Sequence, residues 1–259
     1  MEREALLIPN SNAYAILRDN SQEFLNFVVL SCTAVPTLKK QIQASGVAGI
    51  SPDHFKGSPD AAQLLSYATV YQETLGRMIV ITLFSYFEAY VKGLLGEIVD
   101  FHGGATRFQA TADKRAKAFV ANSSQAIIDS KRKLQEPSKG AKIESYRKHS
   151  AILVKQGFRF PSELLAPFGV KNLIRKSKPT GSKAFEIPEL LRDALCFPLP
   201  AKDDARLNSI RETRNNIAHG KAGPITLVEA LTIGKDLRDI SAKVDKHAVE
   251  HFFVVETYA

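Results

Sequence analysis

Seven consecutive residues, Arg214-Asn215-Asn216-Ile217-Ala218-His219-Gly220, put a guanidinium, a carboxamide and an imidazole within about one and a half turns of helix. Arg offers a rigid fork of donors that matches phosphate oxygens, His carries a proton near neutral pH, and Asn can orient either one. Residues five apart on a helix are separated by about 140° around the axis, so Arg214 and His219 share a face only through the reach of the arginine; Asn215 and His219 do share one. A second reading of the same residues is structural. In it Arg214 caps the helix or pairs with a carboxylate such as Glu212 or Asp204, and His219 satisfies carbonyls at the helix end beside Gly220, a suitable left-handed terminator.

The elements that must position these groups read as helices. Lys202 to His219 carries Leu207, Ile210 and Ile217 on an apolar face. Beyond Pro224, Thr226 with Glu229 three residues later fits a capping box and opens a helix to about Val249, through Leu227, Leu231, Leu237, Ile240 and Val244. Asp60 to Phe101 is the longest helical pattern, closed by Gly103-Gly104, and is expected to be the spine of the core. Ser11 to about Val35 is predicted to be a helix ended by Pro36, with a short helix over Thr37 to Ala44 and a loop over Gly46 to Pro59. The middle is less regular: helices are expected near Thr111 to Asn122, Ser124 to Gln135 and Lys142 to Gln156, then short helices and loops from Phe158 to Phe185, and another short helix over Pro188 to Cys196. The tail FFVVETY fits a strand, a helix end or a packing arm. No alternation or internal repeat supports a large sheet.

The RNNIAHG stretch resembles the R-x4-H signature, with a polar residue directly after the Arg, of the HEPN superfamily. SYFEAYVKGLL, Ser85 to Leu95, is similar to the early core helix of those domains, with Glu88 and Lys92 on it. The resemblance covers about Gln63 to Phe101 and Leu207 to Val249. It implies an all-α fold, a HEPN-like antiparallel helical bundle with an extra N-terminal helix and a basic helical or loop insertion. We expect a single domain over 1–259, its core at about 60–101 and 202–250 and the insertion at about 105–185.

The resemblance further implies a metal-independent endoribonuclease, a toxin or antiviral defence effector that cleaves RNA by 2′-hydroxyl transesterification. In that reading Arg214, Asn215 and His219 are catalytic, with Glu88 and Arg77 as supporting residues. It implies a homodimer, since similar domains build a composite cleft across a two-fold axis, and a restraining antitoxin or defence-system partner protein. The alternative is a non-catalytic HEPN-like RNA-binding or protein-interaction module. For Glu88, a simple ion pair with Lys92 one turn on competes with a role in the cleft.

Charge distribution points the same way. The chain of 259 residues has net charge +8, but Phe101 to Phe185 holds 18 Lys and Arg against 5 Asp and Glu, leaving 17 against 22 for the rest. Like charges at that density suit a polyanion such as RNA, and Lys131, Arg132, Lys133, Arg175, Lys176 and Lys178 are the candidate contacts; a solvated helical face is the competing reading for any one cluster.

Apolar residues at 44% and charged residues at 24% match an ordinary globular chain and argue against disorder. The strongly apolar run Met78 to Phe87 is about half of the roughly 20 residues a bilayer needs, so no membrane partner is expected. MEREALLIPNSN shows no secretory pattern, and Cys32 and Cys196 lie far apart without metal spacing; both fit reduced thiols in a cytoplasmic protein. His247 and His251 flank Glu250 at i,i+4 but find no third ligand. With no GxxxxGK loop, nucleophile elbow or zinc framework in the chain, we expect no cofactor and no metal. His54, His102 and His149 read as exposed or structural.

Overall fold

The computed structural model describes residues 2–5, 8–46, 60–117, 124–135, 143–155, 167–178, 186–221 and 223–257. It is an all-α bundle with one small two-stranded sheet. The predicted spine is α2, Ala61–Phe101, capped by the Asp60 side chain accepting from the Gln63 amide. Its 41 residues extend about 60 Å. Leu75, Ile79, Val80, Leu83, Phe84, Phe87, Val91, Leu94 and Ile98 are buried along it, so neighbouring helices surround it on several sides. By length and composition alone α2 could cross a membrane, but half of its most apolar window is buried inside the fold, as in a core helix.

Helix α1, Asn12–Ser45, runs antiparallel to α2, because Glu97 near the end of α2 accepts the Asn12 and Ala13 amides at 2.8 Å each. A carboxylate there satisfies two of the donors every helix start leaves unpaired. Ser11, fully buried, is held by Asp245 through both its amide and its hydroxyl. The expectation that Pro36 ends this helix is corrected: Pro36 lies inside α1, and the expected short helix over Thr37 to Ala44 is the continuation of α1. The proline removes one ladder bond, but packing along α2, with Val28 buried before Pro36 and Ile42 after it, outweighs the local cost of about 3 kcal/mol. The loop expected over Gly46 to Pro59 lies outside the described residues apart from Gly46, the C-cap of α1.

The middle of the chain forms α3, Ala105–Lys117, α4, Gln125–Gln135, α5, Ile143–Lys155, and α6, Pro167–Ser177. Helix α3 begins six residues earlier than expected, directly after the Gly103-Gly104 turn. Helices α4 and α5 pack on each other, and α6 packs on α2 and α3. A short helix α7, Ile187–Glu189, widens into one π turn, Leu190–Ala194, whose Leu190, Leu191 and Ala194 are buried.

Helix α8, Ala201–Ala218, and helix α9, Leu227–His251, close the bundle. The predicted capping box is present, with Thr226 Oγ accepting from Glu229 and Glu229 accepting from the Thr226 amide. Gly234 of α9 lies against Leu83, and Tyr90 donates to the Ser241 carbonyl at 3.2 Å, so α9 runs in the same direction as α2. Asp203 meets Lys243 at 2.8 Å and Arg206 meets Asp236 at 2.6 Å, so α8 runs against both. The tail resolves as strand β2, Val254–Thr257, antiparallel to β1, Glu2–Ala5, an N-terminal strand without a sequence signal. Neither Cys32 nor Cys196 forms a disulfide.

Two histidines are built into this frame. His102 Nε2 lies 2.8 Å from the Phe252 carbonyl and its ring stacks on Phe108; His247 Nε2 lies 2.9 Å from the Leu195 carbonyl. Burial is the main reason each pKa falls to about 4, with His251 adding to the effect at His247. The unfolded chain therefore takes up protons that the fold refuses as pH drops from about 6.5 to about 4. Stability should fall across that window, by up to about 3 kcal/mol per histidine. Asp245, whose carboxyl is raised by burial, acts in the opposite sense at the acid end. Urea midpoints from pH 7 to 4 test this, and a His102→Gln/His247→Gln variant should show a much flatter profile. Among the described residues no group of three or more His, Cys, Asp or Glu is placed to hold a metal ion.

Candidate functional site

Helix α8 buries only Leu207 and Ile210, with Ile217 packed at the edge of the core. Three ion pairs fasten its first half: Asp203 to Lys243, Asp204 to Arg192 at 2.8 Å, and Arg206 to Asp236. Asp203 and Asp204 also place negative charge in its first turn, where the helix dipole favours it. The second half carries the candidate residues. It ends in a Schellman turn, with the Gly220 amide donating to the Ile217 carbonyl at 3.0 Å and the Lys221 amide to the Asn216 carbonyl at 2.8 Å. Gly220 has φ +68, a conformation that favours glycine. The turn makes His219 the C-cap residue and leaves it exposed.

Arg214 and Asn215 are joined. Arg214 Nη1 donates to the Asn215 side-chain carbonyl at 3.2 Å, which leaves the Asn215 amide nitrogen to donate elsewhere. The guanidinium carbon sits 5.8 Å from the centre of the Phe84 ring of α2, close enough for the ring face to attract the cation. Arg214 Nε is buried without a hydrogen-bond partner, and no ion pair to Arg214 occurs among the described residues. Asp204, one of the carboxylates considered for it, is taken by Arg192. A desolvated guanidinium left partly unsatisfied is costly unless something else completes it.

Helix α2 contributes the other two candidates. Arg77 and Glu88 stand seven residues before and four after Phe84, all on nearly one face. Arg77 Nε is also buried and partnerless, and its only described ion-pair contact is Glu73 at a loose 3.9 Å. Because α8 runs against α2, the chain past Arg214 descends toward Arg77. Glu88 is bonded to Lys92 at 3.0 Å, the ion pair the sequence allowed, and is mostly shielded. Phe84 was missed by sequence reasoning. The available signal was an aromatic residue one turn before Glu88 on the helix that resembles the family's core.

The neighbouring Gly76 fixes how closely the α8–α9 turn approaches. A Cβ there would lie 2.5 Å from the Ile225 backbone carbonyl oxygen, which cannot yield as a side chain can. Gly76→Ala should cost about 1–3 kcal/mol and shift the turn beside Arg77 and His219; thermal melting of that variant is the check.

The basic candidates are placed elsewhere. Arg192 in the π turn, which packs on α6, holds the first turn of α8, so α6 adjoins the end of α8 opposite to His219. Asp204 and His219 are about 22 Å apart along the axis. Arg175 and Lys178 are exposed, with Arg175 donating to Asn172 at 2.9 Å. Arg132 is exposed and contacts Asp129 at 3.4 Å; Lys133 is exposed; the Lys131 side chain lies outside the described residues. Lys176 departs from the expected surface: it turns onto Glu186 at 2.8 Å and is only 17% exposed, so its charge is already matched.

No curated protein and no solved structure matches the chain. The family model described as RiboL-PSP-HEPN matches residues 58–250, a stretch that takes in the basic segment as well as α2, α8 and α9 and leaves out α1. With three quarters of its length so matched and the helical bundle in place, the chain belongs to the RiboL-PSP-HEPN family of HEPN domains.

Proposed function

We propose that this HEPN domain is a metal-independent endoribonuclease, a toxin or antiviral effector held in check by a partner protein. The observation that carries the reading is Arg214, which lies over Phe84, is oriented by Asn215 and keeps a buried Nε without a partner, about one and a half helix turns from an exposed His219. In the reaction the 2′-hydroxyl of a nucleotide attacks the adjacent phosphorus. The hydroxyl loses its proton to a base, the P–O2′ bond forms, the P–O5′ bond breaks, and the departing 5′-oxygen receives a proton from an acid. The products end in 2′,3′-cyclic phosphate and 5′-hydroxyl. His219 moves the protons, Arg214 stabilises charge building on the phosphorus oxygens, and Asn215 holds Arg214 while its amide nitrogen reaches a phosphate oxygen.

One motif His per protomer is too few for separate acid and base. Two copies of His219 across a homodimer would supply both, and the exposure of the α8 end leaves it open to such pairing. RNA engaging both this end and the far end of α8, about 22 Å away along the axis, would pass near α6, where Arg175 and the adjoining Lys178 are exposed. Arg175→Glu with Lys178→Glu should weaken RNA binding several-fold and flatten its salt dependence, without changing product ends; filter binding at several salt concentrations reads this out.

The deciding experiment is cleavage of an end-labelled structured RNA in EDTA by wild type and His219→Ala, with end-group analysis. Cyclic-phosphate ends made only by wild type support the proposal. Equal cleavage by both removes His219 from the reaction and overturns the proposal, and none from a folded dimer offered several RNAs assigns the domain to the non-catalytic binding module.

A further inference from the structure

Away from the motif, α1 and α9 splay apart over α2 and leave a cavity of about 360 Å³. Its apolar surface comes from Leu17 and Leu25 of α1 and Leu83 and Phe87 of α2. Its rim carries Arg18 on one side and Lys235 and Arg238 on the other, and among the described residues no carboxylate lines it. The wall at Gly234 is bare: a Cβ there would fall 2.5 Å from Leu83 Cδ1, so glycine lets α9 close on the floor.

The rim cations are available. Among the described residues, Arg18 and Arg238 touch only the carboxylates of their sequence neighbours, Asp19 and Asp239, and in each case through Nε, at 3.1 and 3.6 Å. Lys235 has no ion pair among the described residues. Such exposed neighbour pairs contribute little and give way readily to a better-placed anion. A volume of this size sits at the small end of ligand pockets, roughly 300–1,000 Å³.

We propose that this cavity binds a small amphipathic organic anion. An acyl chain or flat ring would lie on Leu17, Leu25, Leu83 and Phe87, with a carboxylate, sulfonate or phosphate between Arg18, Lys235 and Arg238. The site is distinct from the motif, since Leu83 faces the cavity while the next residue, Phe84, carries Arg214.

The probe is anilinonaphthalene sulfonate, titrated by fluorescence into the full chain and competed with decanoate or with decylammonium. The expected result is one saturable site, displaced by decanoate and not by decylammonium, and weakened tenfold or more by Arg18→Glu with Arg238→Glu. Lys235→Glu reads the same charge should the double variant fail to fold, judged by circular dichroism. Val228→Ser, which removes an exposed apolar residue on α9 outside the cavity lining, should leave binding unchanged. Equal binding by the charge-reversed variants, equal displacement by decylammonium, or capture of phosphatidylglycerol vesicles in place of free decanoate would overturn the proposal.

Discussion

His219→Ala lowers the single-turnover cleavage rate by roughly 10²–10⁴, the usual worth of a positioned proton-transfer group, and leaves the fold intact. The second half of this expectation follows from geometry. His219 is exposed at the C-cap of α8, its described bond is the backbone donation to the Asn215 carbonyl at 3.0 Å, and alanine keeps that bond. An exposed substitution of this kind shifts stability by less than about 0.5 kcal/mol. Cleavage and melting measured on one preparation therefore separate chemistry from folding. A rate within a factor of two of wild type would remove His219 from the mechanism.

Arg214→Met should reduce the rate by about 10²–10³, the effect of losing one aimed donor to a transition-state oxyanion, and should not destabilise the domain. The guanidinium rests on Phe84 and has a buried Nε with no partner, so the folded protein bears a desolvation cost of about 1–3 kcal/mol that methionine does not. Methionine also keeps most of the contact with the ring. Loss of cleavage with an equal or higher melting temperature marks a residue kept for function. A clear fall in melting temperature would make Arg214 a structural residue and remove the main support for the catalytic reading. Arg214→Lys should not rescue the rate, because an ammonium cannot reproduce the fork that both grips Asn215 and meets phosphate oxygens.

The parts of the fold visible in the amino-acid sequence are those decided locally. The capping box of Thr226 and Glu229, the glycine after His219 and the long apolar pattern of α2 each act within a few residues, and each element forms where those residues place it. Pro36 shows the limit. Its local rule predicts a helix end, but contacts with α2, contributed by residues far away in sequence, carry α1 through it. Strand β1 exists because β2 pairs with it, and nothing in Glu2–Ala5 alone signals this. In the candidate site, the adjacency of Arg214 and Asn215 could be read directly. The seat on Phe84 could not, because it depends on the direction in which α8 crosses α2.

The fastening of α8 has a consequence for motion. Its first half is tied down by three ion pairs and two buried aliphatic residues, whereas α2 is enclosed along much of its length. Exposed charge pairs weaken as salt is added; buried apolar contacts do not. Backbone amides of α8 should exchange with deuterium sooner than those of central α2, and the gap should widen between low and molar salt. The helix bearing RNNIAHG would then open before the core does, and its opening would respond to the same ionic strength that governs the grip on a polyanion.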